Sequence, residues 1–422
     1  MRRALAYLVL AVVVLFSSQG EYILSPLDEV AAPYRWNIVS WEAGNFLSKW
    51  NYRLLEAMPW HQDSTKDGTV LEEYFGLTQE IGEVERLVER LLVEAQGDEL
   101  AVEKAQRSLE TLRKRQSRLK SQAEEKLEAQ ISAVLNEEDF ESRIGLIWPP
   151  VDAEFVSSPT VLVVSPREVI HRQETLTLKP NLKVEDKEAL EEKVFGEQNL
   201  SALVVNIGGI ATYPSIVPPK GGLRFALVTA SHEWLHQYWF FRPLGWNYWR
   251  DADTTSLNET AADLAGREIG ERVYEAVTGI KLSEAGVISS EENGGFHFGE
   301  EMRKTRLRTD EFLAQSRIQE AEAYMEERRR LFVENGFVIR KLNQAYFAFY
   351  GTYAFNPASV SPINDELMQF RASVDTVGEF IREVSQFSSY DEFKEHLQGL
   401  EASDIYTSEE VRTKVSVVVP GG

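Results

Sequence analysis

Ser231-His232-Glu233-Trp234-Leu235-His236-Gln237 is the stretch on which the reading of this chain turns. Residues 223–241 contain no internal proline or glycine and stop short of Pro243, so they read as one helix. On that helix His232 and His236 lie one turn apart on the same face, and two imidazoles can meet one metal ion. Glu233 follows the first histidine directly and falls beside the pair, where a carboxylate can take a proton from water held by the ion. Two protein ligands are too few for a catalytic zinc, which typically has three and an open fourth position.

A second helix, expected over 255–278 and entered through Ser256 and Asn258, supplies the third. It carries Asn258-Glu259-Thr260-Ala261-Ala262-Asp263, and Glu259 completes a two-histidine, one-glutamate set. Asp263 stands one turn beyond Glu259 on the same face. It is placed to accept the remaining N–H of His232, which fixes the ring and makes it a better ligand.

These two motifs, in this order on successive helices, resemble the gluzincin metallopeptidases, the thermolysin-like superfamily, over roughly residues 200–275. The resemblance implies one zinc ion per chain on His232, His236 and Glu259, with Glu233 as general base and a peptide or protein as substrate. Asp263 matches the family's aspartate four positions past the glutamate ligand. The resemblance also implies an edge strand before the metal helix that aligns the substrate through main-chain hydrogen bonds. Gly208-Gly209-Ile210-Ala211-Thr212-Tyr213-Pro214 falls there, with Gly208, Gly209, Ala211 and Tyr213 as lining residues, in a segment read as a hairpin or an edge strand. The aminopeptidase branch has an acid in a glycine-containing motif at this place. This chain has none, so an endopeptidase-like activity is expected. The family further supplies a downstream tyrosine or histidine to the developing oxyanion. No motif identifies it, and the candidates are Tyr353 at a helix–loop junction, His297 in a glycine-rich segment, and Tyr248 between the motif helices, in that order.

Outward from this centre, Tyr74, Leu77, Ile81, Val84, Val88, Leu91 and Ala95 recur at steps of three and four. Gln96-Gly97-Asp98-Glu99 interrupts, and a second run extends from Val102 through Leu109, Leu119 and Leu127 to Val134. The pattern predicts a coiled-coil-like antiparallel hairpin over 71–135. Strands are expected at 160–164, 174–178 and 202–207. Helices are expected at 41–55, 309–335, 337–350, 364–387 and 390–400. The fold class is α+β, mostly helical, with a small mixed sheet next to the metal-binding helices and the hairpin as an insertion. The regions are 1–20, 21–140, 141–300 and 301–422.

Composition narrows the function. A formal charge of -22, from 45 basic and 67 acidic side chains, repels phosphate backbones and argues against nucleic acid as a partner. The absence of cysteine excludes disulfides, thiolate metal sites and a cysteine nucleophile. No glycine-x-serine-x-glycine elbow or phosphate-binding loop is present. Met1-Arg2-Arg3, the apolar residues 4–16 and Ser17-Ser18-Gln19-Gly20 read as a secretory signal or an N-terminal membrane anchor with the body extracytoplasmic. The run is shorter than the ~20 residues that cross a bilayer comfortably. The competing expectation is a non-enzymatic extracytoplasmic helical scaffold with a structural metal site. A fourth protein ligand favours the scaffold, and an open position favours the enzyme.

Overall fold

The computed structural model describes residues 25–38, 41, 69–94, 99–142, 145–281 and 296–400. The apolar run at 4–16, all but the first residue of the expected helix at 41–55, and the tail from 403 lie outside the described residues. After α1 (Pro26–Ala31), opened by a reciprocal capping box between Ser25 and Asp28, the expected hairpin is present as α2 (Val70–Glu94) and α3 (Glu99–Glu137). Its inward stripe buries Leu71, Tyr74, Leu127, Ile131 and Leu135.

The strands β1 (Ala153–Phe155), β2 (Thr160–Pro166), β3 (Glu174–Leu178), β4 (Leu200–Asn206) and β5 (Ser215–Val217) surround α4 (Val184–Gln198). They form two sheets. One is antiparallel in the order β3-β2-β4, with Val163 opposite both Thr175 and Leu203. In the other, β1 runs parallel to β5 with Ala153 opposite Ser215. At three residues, β1 is too short for its alternation to be read from the sequence.

Mostly helical structure follows: α5 (Gly222–Trp239), α6 (Pro243–Trp246), α7 (Ala252–Thr278), α8 (Phe298–Ala314), α9 (Ile318–Glu334), α10 (Gln344–Tyr350), α11 (Ile363–Ala372), α12 (Val377–Val384) and a last helix over 390–400. The fold is therefore α+β and mostly helical, as expected. Alternation along β2 and β4 sends Leu162, Val164 and Val204 to α4, and Val161, Val163 and Leu203 to α10. Among the described residues no helix is long and apolar enough to cross a membrane.

Three expected helices differ from the structure. The span 309–335 is two antiparallel helices, and the first begins at Phe298. The chain reverses at Ser316, whose φ is 58°, so that Phe312, Leu313 and Ala321 pack together. Of 337–350 only α10 is helical. Asn343 caps it by accepting from the Tyr346 N–H at 2.9 Å, while Arg340 and Lys341 just before it reach out to Glu191. The span 364–387 breaks before Thr376, which caps α12 by accepting from the Glu379 N–H at 3.1 Å. Apolar periodicity runs across all three breaks; a left-handed residue decides the first and polar caps decide the other two.

The crossing of α5 and α7 sets the site. A Cβ on Gly266 would stand 2.8 Å from both Cα and N of His232, and one on Gly270 2.6 Å from Cα of Val228. Two glycines four apart thus let the helix backbones touch. Trp234 and Trp239 lock α5 from behind. Their indole N–H groups donate to the carbonyls of Pro149 at 2.8 Å and Ile381 at 3.2 Å, leaving no buried donor unpaired on either ring. The main core joins these helices to the hairpin and to Phe370, Phe380 and Phe393 near the C-terminus.

Candidate metal centre

The close crossing brings three ligand atoms together. His232 Nε2 lies 3.0 Å from His236 Nε2, and Glu259 Oε2 lies 3.6 Å from the first and 3.7 Å from the second. A point equidistant from the corners of that triangle is about 2.0 Å from each, within the range of metal–nitrogen and metal–oxygen bonds. The donors, two neutral-capable imidazoles and a carboxylate, fit a metal ion chemically as well as in spacing. Among the described residues this is the group of histidine and acidic side chains so arranged, and it has three members.

Neighbouring groups orient the donors. The Tyr248 hydroxyl donates to Oε1 of Glu259, leaving Oε2 to face the histidines. The Tyr248 ring meets His236 edge-on with centroids 6.1 Å apart. Burial alone would raise the Glu259 carboxyl, but the two imidazoles hold it well below the usual carboxylate range. Burial pushes His232 down, and Glu259, Glu233 and Asp263 outweigh it to bring the ring up to about 9. The hydrogen bond expected between His232 and Asp263 is not formed. Asp263 accepts from Arg267 at 3.2 Å, one turn further along α7, so its influence on His232 is through charge.

Glu233 is buried beside this cluster, and burial raises its carboxyl. It faces the glycine segment: a Cβ on Gly209 would stand 2.5 Å from Glu233 Oε1, 2.6 Å from Thr229 Cγ2 and 2.9 Å from the Ile216 carbonyl. Only glycine fits there. Ile210 pairs with Ile216 through two main-chain hydrogen bonds, at 3.3 and 3.0 Å, which adds one antiparallel rung to β5. Alternation then turns Gly209 and Ala211 outward. Their main-chain N–H and C=O groups have no protein partner among the described residues. Gly208 is exposed, and its carbonyl accepts from Ser158 Oγ at 3.2 Å. Tyr213 is half-buried beyond Thr212, whose carbonyl accepts from Gln237 on α5 at 2.6 Å.

Of the three oxyanion candidates, the structure brings two to the cluster. The loop carrying Tyr353 is fastened to α7 where the Ala354 N–H donates to Thr260 Oγ1 at 3.0 Å, next to Glu259. Burial, followed by the charges of Glu259 and Glu233, raises the Tyr353 hydroxyl well above its usual value. Tyr248 is engaged by Glu259. His297 stands exposed at the start of α8, between Phe296 and Phe298, which pack on Phe332 and Phe337. Sequence reading passed over two features. One is the Gly266 and Gly270 pair, visible as two small residues four apart on the ligand helix. The other is Arg172, on the loop between β2 and β3, whose positive charge acts on both Tyr248 and Tyr353. It makes no ion pair among the described residues.

No protein-family model, curated protein or solved structure matches this chain.

Proposed function

We propose that the chain is a zinc-dependent peptidase of the gluzincin kind, with an endopeptidase-like action on extended peptides. One observation carries this reading: three converging donors, a buried acid beside them, and an unpaired main-chain edge all meet at Gly209 and Glu233. Two histidines and one glutamate are a catalytic zinc set, whereas a structural site closes with a fourth protein ligand. The three-membered group among the described residues therefore supports the enzyme over the scaffold.

A zinc ion held by His232, His236 and Glu259 would supply Lewis acidity toward the scissile carbonyl and toward water. Glu233 accepts the proton of the attacking water and passes it to the leaving amine. The main-chain groups of Gly209 and Ala211 hold the peptide extended past Glu233. The protonated hydroxyl of Tyr353 donates to the oxygen on which negative charge develops, and Arg172 adds a positive charge on that side. Tyr248 keeps Glu259 in place.

Glu233→Gln keeps the side-chain size and removes the basic carboxylate. The variant is expected to retain one zinc per chain and the wild-type melting temperature while hydrolysis of a broad peptide library falls ~10²–10⁴-fold. Equal cleavage by wild type and variant would overturn the mechanism. Zinc-loaded wild type that cleaves no peptide would favour the scaffold.

A further inference from the structure

A cleft of about 480 Å³ lies between the helical hairpin and the ends of the strands. Its walls include Tyr74 of α2, Ser117 of α3, Phe155 and Ser158 after β1, Ile207 after β4, and Phe225 in the first turn of α5. The cleft is continuous with the glycine edge. Ser158 holds the Gly208 carbonyl, and a Cβ on Gly208 would stand 3.9 Å from the Phe225 ring. The main chain thus runs from Gly209, against Glu233, to Ile207 in the cleft wall. Extended residues advance ~3.3 Å each. A peptide aligned on Gly209 and Ala211, with its reacting bond at Glu233, enters the cleft two or three residues away.

The charges in the cleft are already matched. Arg113 donates to Glu85 at 2.8 Å, Lys220 reaches the same carboxylate at 3.4 Å, and Lys120 pairs with Glu154 and Glu124. Arg113, Lys120 and Lys220 are the charged residues of the lining, and with each held by one of these carboxylates little charge is left to attract an ionised side chain, whereas an apolar one gains from Ile207 and the Phe225 ring, which is 39% exposed. We infer that this cleft is a specificity subsite of the proposed peptidase, taking an uncharged apolar or aromatic side chain two or three residues from the cleaved bond. The helical hairpin is then a wall of the substrate site, and the preferred substrate spans several residues. This inference rests on the peptidase reading for the bond that is cut, but not for the binding of the peptide.

The test uses the zinc-loaded full chain and octapeptide pools with phenylalanine, aspartate, lysine or glycine fixed at each position in turn. Wild type is expected to favour phenylalanine at one position, two or three residues from the cut, on one side only. Ser117→Trp fills the cleft from the hairpin wall, and the ratio of kcat/KM for octapeptides to that for tetrapeptides is expected to fall ~10-fold or more. Binding of fluorescein-labelled phenylalanine octapeptides to Glu233→Gln protein, with and without Ser117→Trp, separates the two readings. Binding that weakens with Ser117→Trp while wild type cleaves nothing would keep the cleft and sink the peptidase. Binding and cleavage that are both indifferent to Ser117→Trp, or a wild type without preference at that position, would overturn the subsite.

Discussion

Gly266→Ala tests how the candidate metal centre is built. Its new Cβ would stand 2.8 Å from both Cα and N of His232 and 3.0 Å from Cβ of the same residue, all atoms of a buried helix that cannot swing away. Restoring ordinary contact requires α7 to retreat from α5 by about 0.6–1 Å, an overpacking that typically costs ~1–3 kcal/mol. Glu259 rides on α7, and its Oε2 now lies 3.6 and 3.7 Å from the two imidazole nitrogens. Lengthening both by about 0.8 Å moves the equidistant point from about 2.0 to about 2.4 Å, outside the ~2.0–2.2 Å of zinc bonds to nitrogen and oxygen. Zinc affinity should fall by at least the ~10–100-fold that loss of an orienting partner costs. Competition with a chromogenic chelator measures the affinity, and thermal melting with and without zinc measures the stability. Gly196→Ala is the control, because a Cβ there meets nothing within 4 Å and should stabilise α4 by ~0.5–1 kcal/mol. A Gly266→Ala protein with wild-type zinc affinity and melting temperature would show that the close crossing of α5 and α7 does not set the ligand spacing.

Two tyrosines near the cluster should behave differently. Tyr248→Phe removes the hydroxyl that donates to Glu259, so zinc affinity should drop ~10–100-fold in the same chelator assay. Tyr353→Phe should leave zinc content unchanged and lower kcat ~10²–10³-fold; a change in zinc affinity instead would remove it from the oxyanion role. Away from the site, Glu191 is fully buried and accepts from Arg340 at 2.9 and 2.5 Å, from Lys341 at 3.0 Å and from the Val204 N–H at 2.7 Å. Glu191→Gln should cost ~3 kcal/mol in urea unfolding at neutral pH by stranding those cations. Burial alone would raise the Glu191 carboxyl, but Arg340, Lys341 and the Val204 N–H lower it from 4.5. Its contribution is therefore present above 4.5 and lost as pH falls through the depressed value, so the gap between wild type and variant should narrow in acid.

The candidate metal centre was legible because its information is local. Histidines at 232 and 236 share a face through helix geometry, and Glu259 sits on the next uninterrupted helix. β3 was legible from its alternation, and β2 and β4 from short apolar, β-branched runs. What escaped depends on competition or on distance. Asp263 lies one turn from Glu259 as read, but Arg267, one turn further, takes its carboxylate. The apolar period continues through Ser316, Asn343 and Thr376, where caps and a left-handed residue end the helices. Arg172 approaches the tyrosines from a loop 60 positions before His232. That loop is shaped by the His171 N–H on Ser165 Oγ and the Gln173 N–H on the Val164 carbonyl. No periodic signal points to it.

His232, His236 and Glu259 are proposed to hold one zinc ion with a position left open. X-ray absorption at the zinc edge, on protein carrying one zinc per chain after dialysis, tests it most directly. Nitrogen and oxygen neighbours are expected at ~2.0–2.2 Å, with the outer-shell scattering of two imidazoles. A shell of oxygens without imidazole scattering, or a chain that keeps no zinc through dialysis, would contradict it.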